Sequence, residues 1–192
     1  DARMALENEE FVLPTRTFKR GDAEKSLVSS KNRLKGEQLV RGQEHFYLEG
    51  QVSVASPNED GGVHVISSSQ HPTEVQKLVA SVLGVGINRV DAEVRRMGGG
   101  FGGKESQAAA IACLASIFAI RNGRPAKYKL ARQDDMIQTG KRHDFWNRYQ
   151  VGFNDQGLIS GVEMHLAGMC GCTADLSEGI VDRAMFHADN AY

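Results

Sequence analysis

The sequence predicts an α+β fold: antiparallel hairpins gathered around one strand–glycine loop–buried helix unit. Three observations lead there. Two pairs of short segments alternate apolar and polar residues on either side of a turn, as hairpin strands do. Five glycines within Gly98–Glu105 separate a short alternating strand from an unbroken apolar segment. Finally, 192 residues with 24% charged side chains suit a chain that buries one sizeable core.

Taken in order, residues 1–40 are polar with scattered apolar positions, and read as a surface segment or inter-domain linker. Phe46, Leu48, Val52 and Val54 then alternate with polar neighbours around Gly50, predicting a first strand over 46–54. A turn at 57–62 leads to a second strand over Val63–Ile66. Pro72 opens a helix whose Val75, Leu78, Val79, Val82 and Leu83 form one stripe, and Gly84 ends it. Val90, Ala92 and Val94 make a third strand that runs into the glycine loop. Ala108–Ile120 is apolar on every side, which predicts a buried helix closed by Asn122-Gly123. A strand over Ala126–Leu130 and a hairpin turning at Asn154-Asp155-Gln156-Gly157 complete the pattern.

Composition narrows the function classes. A net charge of −1 supplies no basic field for nucleic acid. No apolar run approaches the ~20 residues of a membrane helix. Three cysteines cannot frame a disulfide scaffold, so a reducing compartment, the cytoplasm, is expected. Cys170 and Cys172 sit too close for a zinc knuckle. The chain starts without Met, and both ends read as cuts in a longer protein.

The chemistry centres on Gly98–Glu105. Glycines between strand and helix let backbone N–H groups approach a ligand, and the helix N-terminus favours an anionic or oxygen-rich group. Gly98, Gly103 and Lys104 fit G-x-x-x-x-G-K, but Glu105 stands where a P-loop needs Ser or Thr for Mg²⁺. Its carboxylate would repel phosphate. Gly98, Gly100 and Gly103 also satisfy G-x-G-x-x-G, with Asp134 and Asp135 further on. The flanking hairpins and the bulk of Phe101 speak against that dinucleotide reading.

A different match covers more of the chain. Gly98–Glu105 resembles the molybdenum-cofactor loop of the xanthine dehydrogenase/aldehyde oxidase family. Four other segments resemble further segments of that family, in family order: Gly42–Glu49, Ser68–Pro72, Thr139–His143 and Asp182–Asp189. The resemblance spans 41–192 closely and 1–40 loosely; Arg41 departs from the glycine common in the family. It implies that 41–192 is the first part of a molybdopterin-binding domain from a bacterial-type molybdenum-binding subunit.

The implied activity is molybdenum-dependent hydroxylation of purines, hypoxanthine to xanthine to urate. The resemblance places Gln70 as donor to the metal's oxo ligand, with the backbone of Phe101 and Gly102 against the same centre. The resemblance also implies that no protein side chain ligates the molybdenum directly. Glu105 resembles the purine-binding glutamate, and Arg183 the arginine that stabilises negative charge on the purine. By spacing alone Gln70 reads as a cap for the helix at Pro72, Glu105 as a carboxylate near a helix N-terminus, and Arg183 as a surface ion-pair partner.

The family's general base matches nothing here, so the isolated chain is expected to be inactive. Two [2Fe–2S] clusters and FAD are expected on other domains or subunits, since three cysteines cannot ligate two clusters. The remaining partners implied are the rest of the molybdenum domain and a family-type oligomer. Aldehyde oxidation within the same family, or an unrelated nucleotide-binding module, are the alternatives. His64, His165 and Trp146 read as structural, and Asp134-Asp135 as a solvated turn or helix cap.

Overall fold

The computed structural model describes residues 2–189. In chain order the elements are α1 (Ala2–Glu7), α2 (Ala23–Ser29), β1 (Asn32–Val40), β2 (Val52–Pro57), β3 (Val63–Ser67), α3 (Pro72–Leu83), β4 (Val90–Glu93), α4 (Gln107–Asn122), β5 (Ala126–Lys129), α5 (Arg132–Gln138), β6 (Phe145–Phe153), β7 (Ile159–Gly168) and α6 (Ser177–His187). They fall into two compact units, one formed by residues up to 42 with those from 143 onward, the other by residues 43–142.

The first unit holds an antiparallel sheet in the order β1-β6-β7. Its β6–β7 hairpin is the one the alternating pattern predicts. Asn154 closes the turn by accepting from the N–H groups of Gln156 and Leu158, both at 3.0 Å, and Gly157 takes the φ of +80° that the turn requires. The linker expected over 1–40 is corrected here. β1 pairs with the whole length of β6, from Asn32 opposite Phe153 to Val40 opposite Phe145. Polar composition misled because both faces of this strand are largely exposed. α2, capped by Asp22 through the Lys25 N–H, packs on β7. α6 lies against β7 too, and Arg16 pairs with its Glu178 and Asp182.

The second unit carries a sheet ordered β4-β3-β2-β5, in which only β3 and β4 run parallel. In a dinucleotide fold the strands before and after the glycine-loop helix would be parallel neighbours. Here β4 and β5 occupy opposite edges, and β5 is antiparallel to β2. That excludes the nucleotide-binding alternative as a fold.

Helices α3 and α4 pack against one another and against this sheet. Val63, Val65 and Val90 from the sheet and Val75 and Val79 from α3 meet in this core, each at most 2% exposed. Burying each valine contributes about 1.5–3 kcal/mol. α3 keeps the predicted stripe and stops at Gly84, whose φ is +68°. For α4 the all-round burial expected from sequence is corrected. Ala109, Ala112, Ala115 and Ala119 face the core, while Leu114 and Phe118 are 41% and 56% exposed. Small residues let the helix approach the sheet closely, so the bulky ones are left outward.

The first strand is also shorter than its alternation suggested. β2 begins only at Val52, because Phe46 adopts a φ of +47° and residues 43–51 run beside the glycine loop instead. The Glu49 N–H donates to the Gly98 carbonyl at 3.1 Å in place of a ladder bond.

Candidate functional site

The loop between β4 and α4 is a turn built on reversed backbone angles. Gly99 and Gly102 have φ of +93° and +89°, and between them Phe101 is held at +53°. A non-glycine residue there is strained, and such strain persists only where surroundings over-determine the backbone. Phe101 is also 63% exposed, so its side chain packing does not explain its conformation.

The middle of the loop is braced by Gln70, three residues after β3. Its Oε1 accepts from the Gly102 N–H at 2.9 Å and the Lys104 N–H at 3.2 Å. Its own N–H donates to the Lys104 carbonyl at 2.8 Å. Gln70 is therefore not the cap of α3. His71 takes that place, its Nδ1 accepting from the Glu74 N–H at 3.0 Å. The space is tight: a Cβ on Gly100 would lie 2.6 Å from Gln70 Cδ and 2.8 Å from its Cγ, and nearer still to Oε1. Among the described residues, nothing accepts from Gln70 Nε2 or from the N–H groups of Gly100 and Phe101.

Beneath the loop lies a polar cluster that composition and spacing did not reveal. Lys104, considered from sequence only as a phosphate ligand, is 0% exposed. Its ammonium donates to the Glu49 carbonyl at 2.7 Å and Ser68 Oγ at 2.6 Å, and lies 3.4 Å from the Glu49 carboxylate. It also sits 4.6 Å from the centre of the Tyr47 ring. Burial lowers the Lys104 pKa, against the opposing pull of Glu49. For Glu49, burial works to raise the pKa, but the Ser68 hydroxyl, the Gly98 N–H and the Lys104 ammonium together hold it below its ordinary value.

The sequence reading of Asp135 as a solvated turn is corrected here as well. It is 2% exposed and accepts from Tyr47 Oη at 2.5 Å and the Gln51 N–H at 2.8 Å. Gln51 Nε2 in turn donates to the Gly103 carbonyl at 2.9 Å and to Tyr47 Oη at 3.1 Å. Burial, followed by the bond to Asp135, pushes the Tyr47 hydroxyl up to about 12. Tyr47 and Glu49 belong to a segment already singled out by resemblance, which was the available signal. Asp135 offered only its place in the first turn of α5, where an acidic residue is ordinary.

Glu105 is half-buried, two residues before α4 begins. A Cβ on Gly102 would lie 3.9 Å from its Oε1. Gln70, Phe101, Gly102 and Glu105 thus share one unit. Arg183 is exposed on α6 in the other. Among the described residues no group of three or more His, Cys, Asp or Glu could hold a metal ion.

Comparison with known proteins speaks to the family and the fold. The family model described as the molybdopterin cofactor-binding domain matches residues 6–192. The xanthine dehydrogenase/oxidase of Gallus gallus is 42% identical over 189 residues, covering 98% of this chain and 14% of that protein. Aldehyde oxidase 2 of Cavia porcellus is 38% identical over 189 residues, with the same coverage of 98% and 14%. The structure of the aldehyde oxidoreductase from Desulfovibrio gigas superposes with a TM-score of 0.68 at 22% identity, over 76% of this chain and 16% of that one. The chain thus spans a small part of its relatives, and the match of a family model to nearly all of it decides its kinship. It belongs to the molybdopterin cofactor-binding domain family, in the xanthine dehydrogenase/aldehyde oxidase group.

Proposed function

We propose that this chain forms part of the cofactor and substrate pocket of a xanthine dehydrogenase, which hydroxylates hypoxanthine to xanthine and xanthine to urate. The observation that carries the reading is the Gln70–glycine loop lock. It leaves a neutral amide N–H₂ and the N–H groups of Gly100 and Phe101 without an acceptor among the described residues. Such donors fit an oxygen-rich, anionic group such as the molybdopterin–molybdenum cofactor, because an amide neither titrates nor displaces a metal ligand. When bound, that cofactor supplies the two-electron oxidation and the water-derived oxygen.

The chain's own residues do the rest. Gln70 Nε2 donates to an oxygen of the bound group, and the backbone at Phe101 and Gly102 lines it. Glu105 accepts from a purine N–H or shares a proton with a ring nitrogen. Arg183 stabilises negative charge gathering on the purine's exocyclic oxygen. The rest of the molybdenum domain, two [2Fe–2S] clusters and FAD on other domains or a partner subunit complete the proposed enzyme, which works in the cytoplasm as a family-type oligomer. Among the described residues no helix is long and apolar enough to cross a membrane.

Aldehyde oxidation is the second reading, favoured by the comparable identity to an aldehyde oxidase over the same stretch. Glu105 and Arg183 speak against it, since a simple aldehyde offers neither residue a ring N–H or an exocyclic oxygen to match. The test is metal analysis of the complete protein together with its kinetics on xanthine and on an aldehyde. Molybdenum and iron with urate formation support the proposal. A protein without molybdenum, or one that oxidises only the aldehyde, sinks it.

A further inference from the structure

We infer that the Glu49–Lys104 ion pair is the positioning device of the glycine loop: it pins both ends of the loop to one carboxylate and so sets how firmly the loop grips its cofactor. The inference deepens the functional reading above and rests on it for the identity of that cofactor. The two ends of the loop converge on Glu49. At the start, the Gly98 N–H donates to Glu49 Oε2 at 3.0 Å, and the Gly98 carbonyl accepts from the Glu49 N–H at 3.1 Å. At the far end, the Lys104 ammonium meets the Glu49 carbonyl and carboxylate. Ser68 Oγ donates to that same carboxylate while accepting from Lys104, which ties the pair to the end of β3.

Contact geometry shows that the fit is close. A Cβ on Gly98 would lie 2.6 Å from Glu49 Cβ, and one on Gly103 would lie 2.8 Å from both His45 Cγ and Tyr47 Cε1. The loop is therefore pressed against the 45–49 segment at both of its ends, while its middle meets Gln70. Lys104 is fully buried, and its ammonium is held by a carboxylate, a carbonyl, a hydroxyl and an aromatic face. A buried charge left without its partner is strongly unfavourable, so the pair resists separation. Separation would free both loop ends at once. The strained Phe101 between them would then relax, and the loop's N–H donors would lose their fixed arrangement.

The test uses the complete protein carrying Lys104→Met or Glu49→Gln. Glu49 is partly exposed, so its substitution decides the matter even where Lys104→Met does not fold. Hydrogen exchange, followed by mass spectrometry of peptides spanning 97–106, reads the loop directly. Molybdenum per chain after dilution and gel filtration reads the grip. The expected result is loop exchange faster by about tenfold or more, as loss of a hydrogen bond to a charged group implies. Exchange in α4 and β2 stays unchanged, and molybdenum is lost faster. Glu49→Asp, which keeps the charge, should recover part of both effects.

Unchanged loop exchange in Glu49→Gln overturns the inference. So does an increase spread evenly over the unit, which would make the pair ordinary core. Faster loop exchange with undiminished molybdenum retention overturns the link to cofactor grip. A wild-type protein that carries no molybdenum overturns the functional reading instead, and the exchange measurement still decides whether the pair holds the loop.

Discussion

Gly100→Ala is the sharpest probe of the loop, because one added methyl group strikes a single side chain. Gly100 does not need a positive φ, so its backbone tolerates alanine. The obstacle is Gln70, whose Cδ and Cγ lie 2.6 and 2.8 Å from the new Cβ. Gln70 must move, and its bonds to the Gly102 and Lys104 N–H groups break together. Each is worth about 1 kcal/mol net, so the loop loses about 2 kcal/mol, or about thirtyfold in its opening equilibrium. In a Gln70→Ala background the space is already vacated, and Gly100→Ala should add almost nothing. Hydrogen exchange of the loop peptide in the complete protein, measured for both single variants and the double, checks this. If Gly100→Ala accelerates exchange as much without Gln70 as with it, the amide is not what holds the loop and the reasoning fails.

Gln70→Ala should also lower turnover at full molybdenum occupancy, by about 2.7–4 kcal/mol in activation free energy if its Nε2 is a transition-state donor; unchanged kcat would leave it a purely structural brace. Tyr47 should titrate near 12 rather than 10. Its pKa is raised in the folded state, so its contribution is complete below pH 10 and lost as pH climbs to about 12. Ultraviolet difference titration of wild type against Tyr47→Phe would reveal whether one slow-to-ionise tyrosine disappears. Glu105→Val with Arg183→Met in the complete enzyme should cut xanthine oxidation steeply, each lost partner of a charged hydrogen bond being worth about 1.5–3 kcal/mol, while sparing aldehyde oxidation. Parallel loss on both substrates would make these residues structural and remove the main support for a purine substrate.

Local rules carried far in this chain. The β6–β7 hairpin follows from alternation and an Asn-Asp-Gln-Gly turn, and α3 from its stripe between Pro72 and Gly84. The glycine loop was legible because five glycines in eight residues leave few other uses for that backbone. Each of these signals lies within a dozen or so neighbouring residues, where periodicity and turn chemistry act.

Tertiary structure decided the rest, for a reason common to every case. β1 reads as polar linker until β6, more than a hundred residues later, supplies its ladder. Asp135 reads as a solvated turn residue until Tyr47 and Gln51 bring a hydroxyl and an N–H to it. Lys104 has no role in the sequence once Glu105 rules out a phosphate loop, until Glu49 and Ser68 enclose its ammonium. Whether a charge can be buried depends on partners that satisfy it, and here those partners come from distant segments. Sequence by itself determined that a loop of bare backbone would join a strand to α4. Only the folded chain could bring a buried lysine and one carboxylate to that loop, because the partners that offset the cost of burying the ammonium come from distant segments and act only within hydrogen-bond reach.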